Sequence, residues 1–298
     1  MKLLITNHWL KKLGGSETFT YTLVKAAKEF GFDVDLFTNH AGIVSERIEK
    51  DFGVKQQLSD SYDLILANHN STIKHCVNRG PIIQTCHGIF PQLEQPSEWA
   101  QAHVAISEEV KNHLVNLLGF NRPIKVILNA VDTNRFKDRT VLAPRIRSVL
   151  SLSHSDVLNK QLHAIFTRKG IQFKTLNKYK NPVWEVQKEI WQNDLVVSLG
   201  RGAYEALACG RPVLVIDHRP YIKKTLADGM VTPQNIDEYV KCNFSGRYRN
   251  HQPALPQFIT RELELYNDNN QIYYRQWAVE NVNYITNFQK YIDLWKTL

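Results

Sequence analysis

Residues 2–38 read KLLITNHWLKKLGGSETFTYTLVKAAKEFGFDVDLFT. The short apolar run KLLIT comes first, and the pair Gly14–Gly15 follows it. From Glu17 to Phe30 the apolar residues Phe19, Leu23, Ala26, Ala27 and Phe30 recur at helical spacing and form one stripe. Gly31 ends that helix, and DVDLFT is a second apolar run of strand length. Strand, glycine turn, helix and strand are the repeating unit of a parallel sheet. The glycine pair is either a tight turn or a cradle for an anion, because helix N-termini offer free N–H groups and a favourable dipole. It is not the dinucleotide fingerprint, which needs further glycines that do not follow.

The same alternation continues outward. VSERIEKDFG, STIKHCVNR and EEVKNHLVNLLG are predicted helices, and Ser107 caps the last of them. YDLILAN, PIIQTCH, AHVAIS and IKVILN are predicted strands. At residues 137–145, KDRTVLAPR breaks the pattern as a linker. A second series follows through RSVLSLS, a helix near Val157 to Thr167, IQFKTL, WEVQKEIW, DLVVSLG, a helix from Gly202, and RPVLVID. After Pro253 the chain becomes helical and aromatic. The fold class expected is α/β, with two doubly wound parallel-sheet domains.

Composition agrees with a globular protein of two domains: 298 residues, of which 43% are hydrophobic and 22% charged. Four scattered cysteines form no CxxC pair and point to reduced thiols. No secretory leader and no run long enough to span a membrane is seen, so a cytoplasmic protein is expected (host cytoplasm if the source is viral). The net charge of +8 favours a polyanionic partner. Between Arg139 and Lys180 the basic residues are 139, 145, 147, 160, 168, 169, 174, 178 and 180, against the single acid Asp156. That segment is either a solvated basic face or the place where an anion is drawn.

Besides the Gly14–Gly15 turn, two further loops carry chemistry. GRGAYEALACGRPVLVID (200–217) again runs from a Gly-rich turn into a helix and then a buried strand. Arg201 at that helix N-terminus opposes the dipole unless an anion neutralises it, and Glu205 lies one turn further. His87 ends the strand PIIQTCH, at the edge where open α/β sheets bind ligands.

Together LGGSETFTYTLVKAAKEFGFDVDLFT, HVAISEEVKNHL, VILNAVDTNRF and EALACGRPVLV resemble, in order and spacing, the retaining nucleotide-sugar glycosyltransferases of the GT-B fold, family 4. The resemblance implies two Rossmann-like domains facing a central cleft. The first is residues 1–138 on the acceptor side, completed by a helix at about 278–298 that crosses back to it. Residues 139–277 form the donor domain. It implies that Gly14 and Gly15 approach the donor diphosphate, that Glu205 binds the ribose, that Arg201 and Gly202 lie beside the diphosphate, and that His87 contacts the transferred sugar. The family also has an earlier glutamate, where this chain has Val197, and an Arg–Lys pair, for which SLSHSDVLNK offers His154 and Lys160. His87, Arg201 and Lys160 are the expected catalytic residues, and Lys11 and Lys12 are candidates for acceptor binding.

No metal and no cofactor is expected; the donor is a UDP- or GDP-linked sugar, and Arg201, Lys160 and backbone N–H groups stabilise the leaving diphosphate. The acceptor is a cell-surface or lipid-linked glycan, as in polysaccharide biosynthesis, with peripheral membrane contact. Otherwise it is double-stranded DNA, as in phage-type base modification, for which Phe166, Phe173 and Tyr179 interleave the basic segment. The alternatives are a nucleotide-sugar epimerase of the same fold and a degenerate nucleotide-sugar-binding module.

Overall fold

The computed structural model describes residues 1–119 and 122–298. The chain divides into two compact units: Met1–Ala130 together with Asn283–Leu298, and Val131–Val282.

The first unit is built on strands β1 (Lys2–Trp9), β2 (Asp33–His40), β3 (Leu64–Ala67), β4 (Ile82–Cys86), β5 (Ala102–Ala105) and β6 (Ile124–Val126). They lie in the order β2-β1-β3-β4-β5-β6, and every pairing is parallel. Helices α1 (Gly15–Glu29), α2 (Ile43–Phe52), α3 (Asn70–Ile73) and α4 (Glu108–Leu118) connect them. The strands read as continuous apolar runs because both faces are covered; Leu3, Leu4, Ile5, Leu64, Ile65 and Ile83 are fully buried. The strand order reverses between β1 and β3, which opens a crevice at their carboxyl ends.

The second unit carries β7 (Ser148–Ser151), β8 (Gln172–Thr175), β9 (Leu195–Ser198), β10 (Val213–Asp217) and β11 (Leu226–Met230), in the order β11-β10-β9-β7-β8. Its helices are α5 (Asp156–Arg168), α6 (Val186–Trp191), α7 (Arg201–Ala208), α8 (Ile236–Tyr239), α9 (Leu255–Leu263) and α10 (Gln271–Val282). Val149, Leu195, Val197 and Leu214 pack with Phe166 and Phe258 to form its core. The final helix, α11 (Tyr284–Trp295), belongs to the first unit. There Phe288 packs on Phe30 and Phe32, and the Tyr291 hydroxyl meets Thr85 at 2.9 Å.

Three elements differ from expectation. β11 pairs antiparallel to β10, so this sheet is not wholly parallel; its sequence, LADGM, holds the poor strand formers Asp228 and Gly229 and carries no apolar alternation. The helix expected over STIKHCVNR stops at Ile73, and tight turns follow up to Asn78, which is left-handed at φ 66°. The aromatic tail is not one helix from about 278: it breaks at Asn283, whose side chain caps α11 by accepting from the N–H groups of Ile285 and Thr286.

Candidate active site

The connection from β9 to α7 is two residues, Leu199 and Gly200. Gly200 is left-handed (φ 54°), a conformation that suits glycine, and its N–H donates to the Asn243 carbonyl at 3.1 Å. The turn places Arg201 at the first position of α7. Its Nε donates to Glu205 Oε1 at 2.9 Å, and both side chains are about nine-tenths buried. Burial works against both charges, lowering the pKa of Arg201 and raising that of Glu205, while each supports the ionised form of the other. Arg135 also favours the Glu205 carboxylate, and Asp132 favours the Arg201 cation. Glu205, expected to bind the ribose, therefore already accepts from Arg201 through one oxygen.

Arg135 lies in NAVDTNRF, a stretch noticed in sequence only for its pattern. Asp132 Oδ1 accepts from the N–H groups of Asn134 and Arg135 and fixes the turn. The Arg135 guanidinium lies over Trp184, donates to its carbonyl, and reaches Gln187 Oε1 at 3.2 Å. No local spacing links residues 135, 184 and 201, so only the tertiary fold reveals this group.

Gly202 has a packing reason for being glycine. A Cβ there would lie 2.4 Å from Ser198 Oγ and 3.1 Å from Leu152 Cδ1. Val197, where the family resemblance placed another glutamate, lies inside β9 with no exposed surface. His154 follows β7, which neighbours β9 in the sheet, so the loops after both strands open at one edge. Its exposed ring meets Tyr179 edge-on at 5.6 Å. Lys160 is exposed on α5.

In the first unit, Gly14 is extended, and a Cβ on it would lie 2.2 Å from Glu17 Oε2. The chain's own carboxylate thus occupies the start of α1, whereas nothing lies within 4 Å of a Cβ on Gly15. Lys11 and Lys12 are exposed in the preceding turn. His87 follows β4; its Nε2 lies 3.1 Å from Asn68 Oδ1, and its ring meets Phe19 edge-on. Asn68 Nδ2 donates to the Thr6 carbonyl, which leaves Oδ1 to accept from His87 Nε2–H. The structure brings Arg201, Gly202 and Glu205 together on α7. Gly14, Gly15, His87, Lys11 and Lys12 belong to the other unit. Among the described residues no group of three or more His, Cys, Asp or Glu side chains could hold a metal ion.

Two doubly wound units, each with its loops at the carboxyl edge of its sheet, define the GT-B architecture. Three solved structures share it across essentially the whole chain. HepE of Anabaena, solved with UDP, is 16% identical with a TM-score of 0.68 and 100% of each chain covered; it has also been solved with UDP-glucose. A glycosyltransferase of Rickettsia africae is 14% identical, with a TM-score of 0.63 and 99% and 98% coverage of this chain and that one. A candidate UDP-N-acetylglucosamine 2-epimerase of Listeria monocytogenes is 12% identical, with a TM-score of 0.58 and 98% and 94% coverage. No curated protein matches the chain in sequence. Residues 13–135 match the family model Glycosyltransferase Family 4. Over those residues the chain resembles that family, and over its whole length it shares the GT-B fold.

Proposed function

We propose that the chain transfers a sugar from a uridine-diphosphate sugar to an acceptor hydroxyl, with retention at the anomeric carbon and without a metal. The observation that carries this is the buried Arg201–Glu205 pair at the N-terminus of α7. A cation held there is poorly placed for the helix dipole and well placed for a diphosphate. As the sugar departs, negative charge grows on the β-phosphate. Arg201, the N–H groups at the start of α7 and Lys160 are the groups to stabilise it. The bound UDP of HepE supports uridine as the first nucleotide to try. Retention rests on the family resemblance. Four free thiols, three of them buried, accord with the cytoplasm as the place of action.

An epimerase of this fold needs acid–base carboxylates at the sugar. Glu205 is already paired and Val197 is a core residue, which favours transfer over epimerisation. The test is calorimetric titration with UDP and UDP-sugars, followed by NMR assignment of the product's anomeric configuration. Binding should be lost in Arg201→Ala and Glu205→Ala. Unchanged affinity in both would remove the donor assignment, and turnover abolished by chelator and restored by Mn²⁺ would remove the metal-free mechanism.

A further inference from the structure

At the carboxyl edge of the first unit's sheet, five rings form a row across four adjacent strands. Trp9 and His40 end β1 and β2 and stack at 3.9 Å with 12° between their planes. His8 touches both, at 4.8 Å from Trp9 and 5.1 Å from His40. His69, just beyond β3, lies 6.4 Å from His8, and His87, beyond β4, lies 6.3 Å from His69. The centre of the row sits at the β1/β3 reversal, the crevice where doubly wound sheets take ligands.

The hydrogen bonds fix what the imidazoles present. The backbone N–H of His8 donates to His69 Nδ1 at 3.1 Å, so the His69 proton resides on Nε2. Asn39 Nδ2 and Ser71 Oγ approach His8 Nδ1 at 2.9 and 2.7 Å, which places the His8 proton on Nε2 as well. Among the described residues no protein group meets either Nε2. His69 as a whole is only 4% exposed, yet its Nε2 is not among the buried polar atoms that lack a partner, so that N–H reaches the surface of the crevice.

Both rings are held neutral. Burial, reinforced by His8, takes His69 down to about 4, and burial together with His40 and Lys74 lowers His8. Two neutral N–H donors beside a flat aromatic face suit a ring that bears hydroxyl oxygens on its edge and C–H groups on its face.

We propose that this row is the acceptor subsite and that it takes a neutral saccharide: Trp9, backed by His40, stacks on the sugar face, while His8 and His69 donate from Nε2 to hydroxyl oxygens. The proposal rests on the glycosyltransferase reading for the word acceptor, but the saccharide site itself can be tested without turnover. Imidazole and indole ¹⁵N–¹H signals of the full chain would be followed during titration with a panel of methyl hexosides and methyl N-acetylhexosaminides, with duplex oligonucleotide and UDP as separate arms.

At least one glycoside should move the His8, His69 and Trp9 signals. Trp9→Ala should weaken that glycoside about tenfold, the loss expected for one aromatic face. His69→Gln should also weaken it, and UDP affinity should be unchanged in both variants. The proposal is overturned if no glycoside moves these signals at tens of millimolar, if duplex DNA moves them instead, or if Trp9→Ala leaves glycoside affinity intact. Glycoside binding without any UDP binding would overturn the donor reading and leave the saccharide site standing.

Discussion

Replacing Arg201 by Met should destabilise α7 far more than replacing both members of its ion pair. At 2.9 Å, and with an effective dielectric of about 20, the pair attracts by about 6 kcal/mol before desolvation is charged against it. Desolvation consumes most of that, so exchanging both residues for apolar ones of similar volume is close to neutral. Removing one alone strands a buried charge and costs about 3–5 kcal/mol. Arg135 still faces Glu205 in Arg201→Met, which puts that variant at the low end. In Glu205→Met, Arg201 is left facing the like charge of Arg135, with Asp132 the remaining carboxylate, and the loss is larger. Hydrogen exchange over the α7 peptide reads this directly. Protection should fall at least about hundredfold in each single variant and stay within about tenfold of wild type in Arg201→Met/Glu205→Met. UDP binding should be lost in all three. If the double variant is as unprotected as the sum of the singles, the residues are not coupled and the reasoning fails.

Further outcomes follow from individual contacts. Gly202→Ala should cost about 1–2 kcal/mol by crowding Ser198 and Leu152, and Ser198→Gly should restore most of it; loss of UDP binding at unchanged stability would instead make Gly202 a ligand contact. Gly14→Ala should be destabilising in denaturant titrations because its methyl displaces Glu17, whereas Gly15→Ala, with open space at its Cβ, should be thermodynamically mild. Asp35 is buried. Burial alone would raise its carboxyl, yet the hydrogen bonds from Gln57, Ser59 and Tyr62, with Lys2 nearby, hold it below its ordinary value. Its contribution to stability is therefore complete above the unfolded-state value of about 4 and lost as pH falls through the depressed one. Asp35→Asn should flatten that acid limb, and an unchanged limb would show that other carboxylates control it.

Local signals made much of this fold legible. Glycines at helix ends, apolar runs of strand length and the Ser107 cap mark most of both sheets, because each is decided by neighbours in sequence. β11 escaped because its sequence, with Asp228 and Gly229, has no strand character, and the β10 edge alone recruits it. The Arg201–Glu205 pairing was within reach, being one helical turn apart, but its burial was not. Gly202 and Gly14 stand out in sequence as glycines at helix starts, but the atoms filling their Cβ positions come from the fold alone. The ring row could not be read at all, since residues 8, 9, 40, 69 and 87 meet only when β2, β1, β3 and β4 lie side by side.

The chain leaves the first unit at Ala130 and supplies its last helix, α11, only after Val131–Val282 have been made. During synthesis, Phe30, Phe32 and Thr85 emerge long before Phe288 and Tyr291 exist to cover them. The nascent first unit must therefore wait, sheet formed but apolar flank bare, while the second is translated. That interval is a window for chaperone binding or aggregation, and it closes only once α11 has left the ribosome.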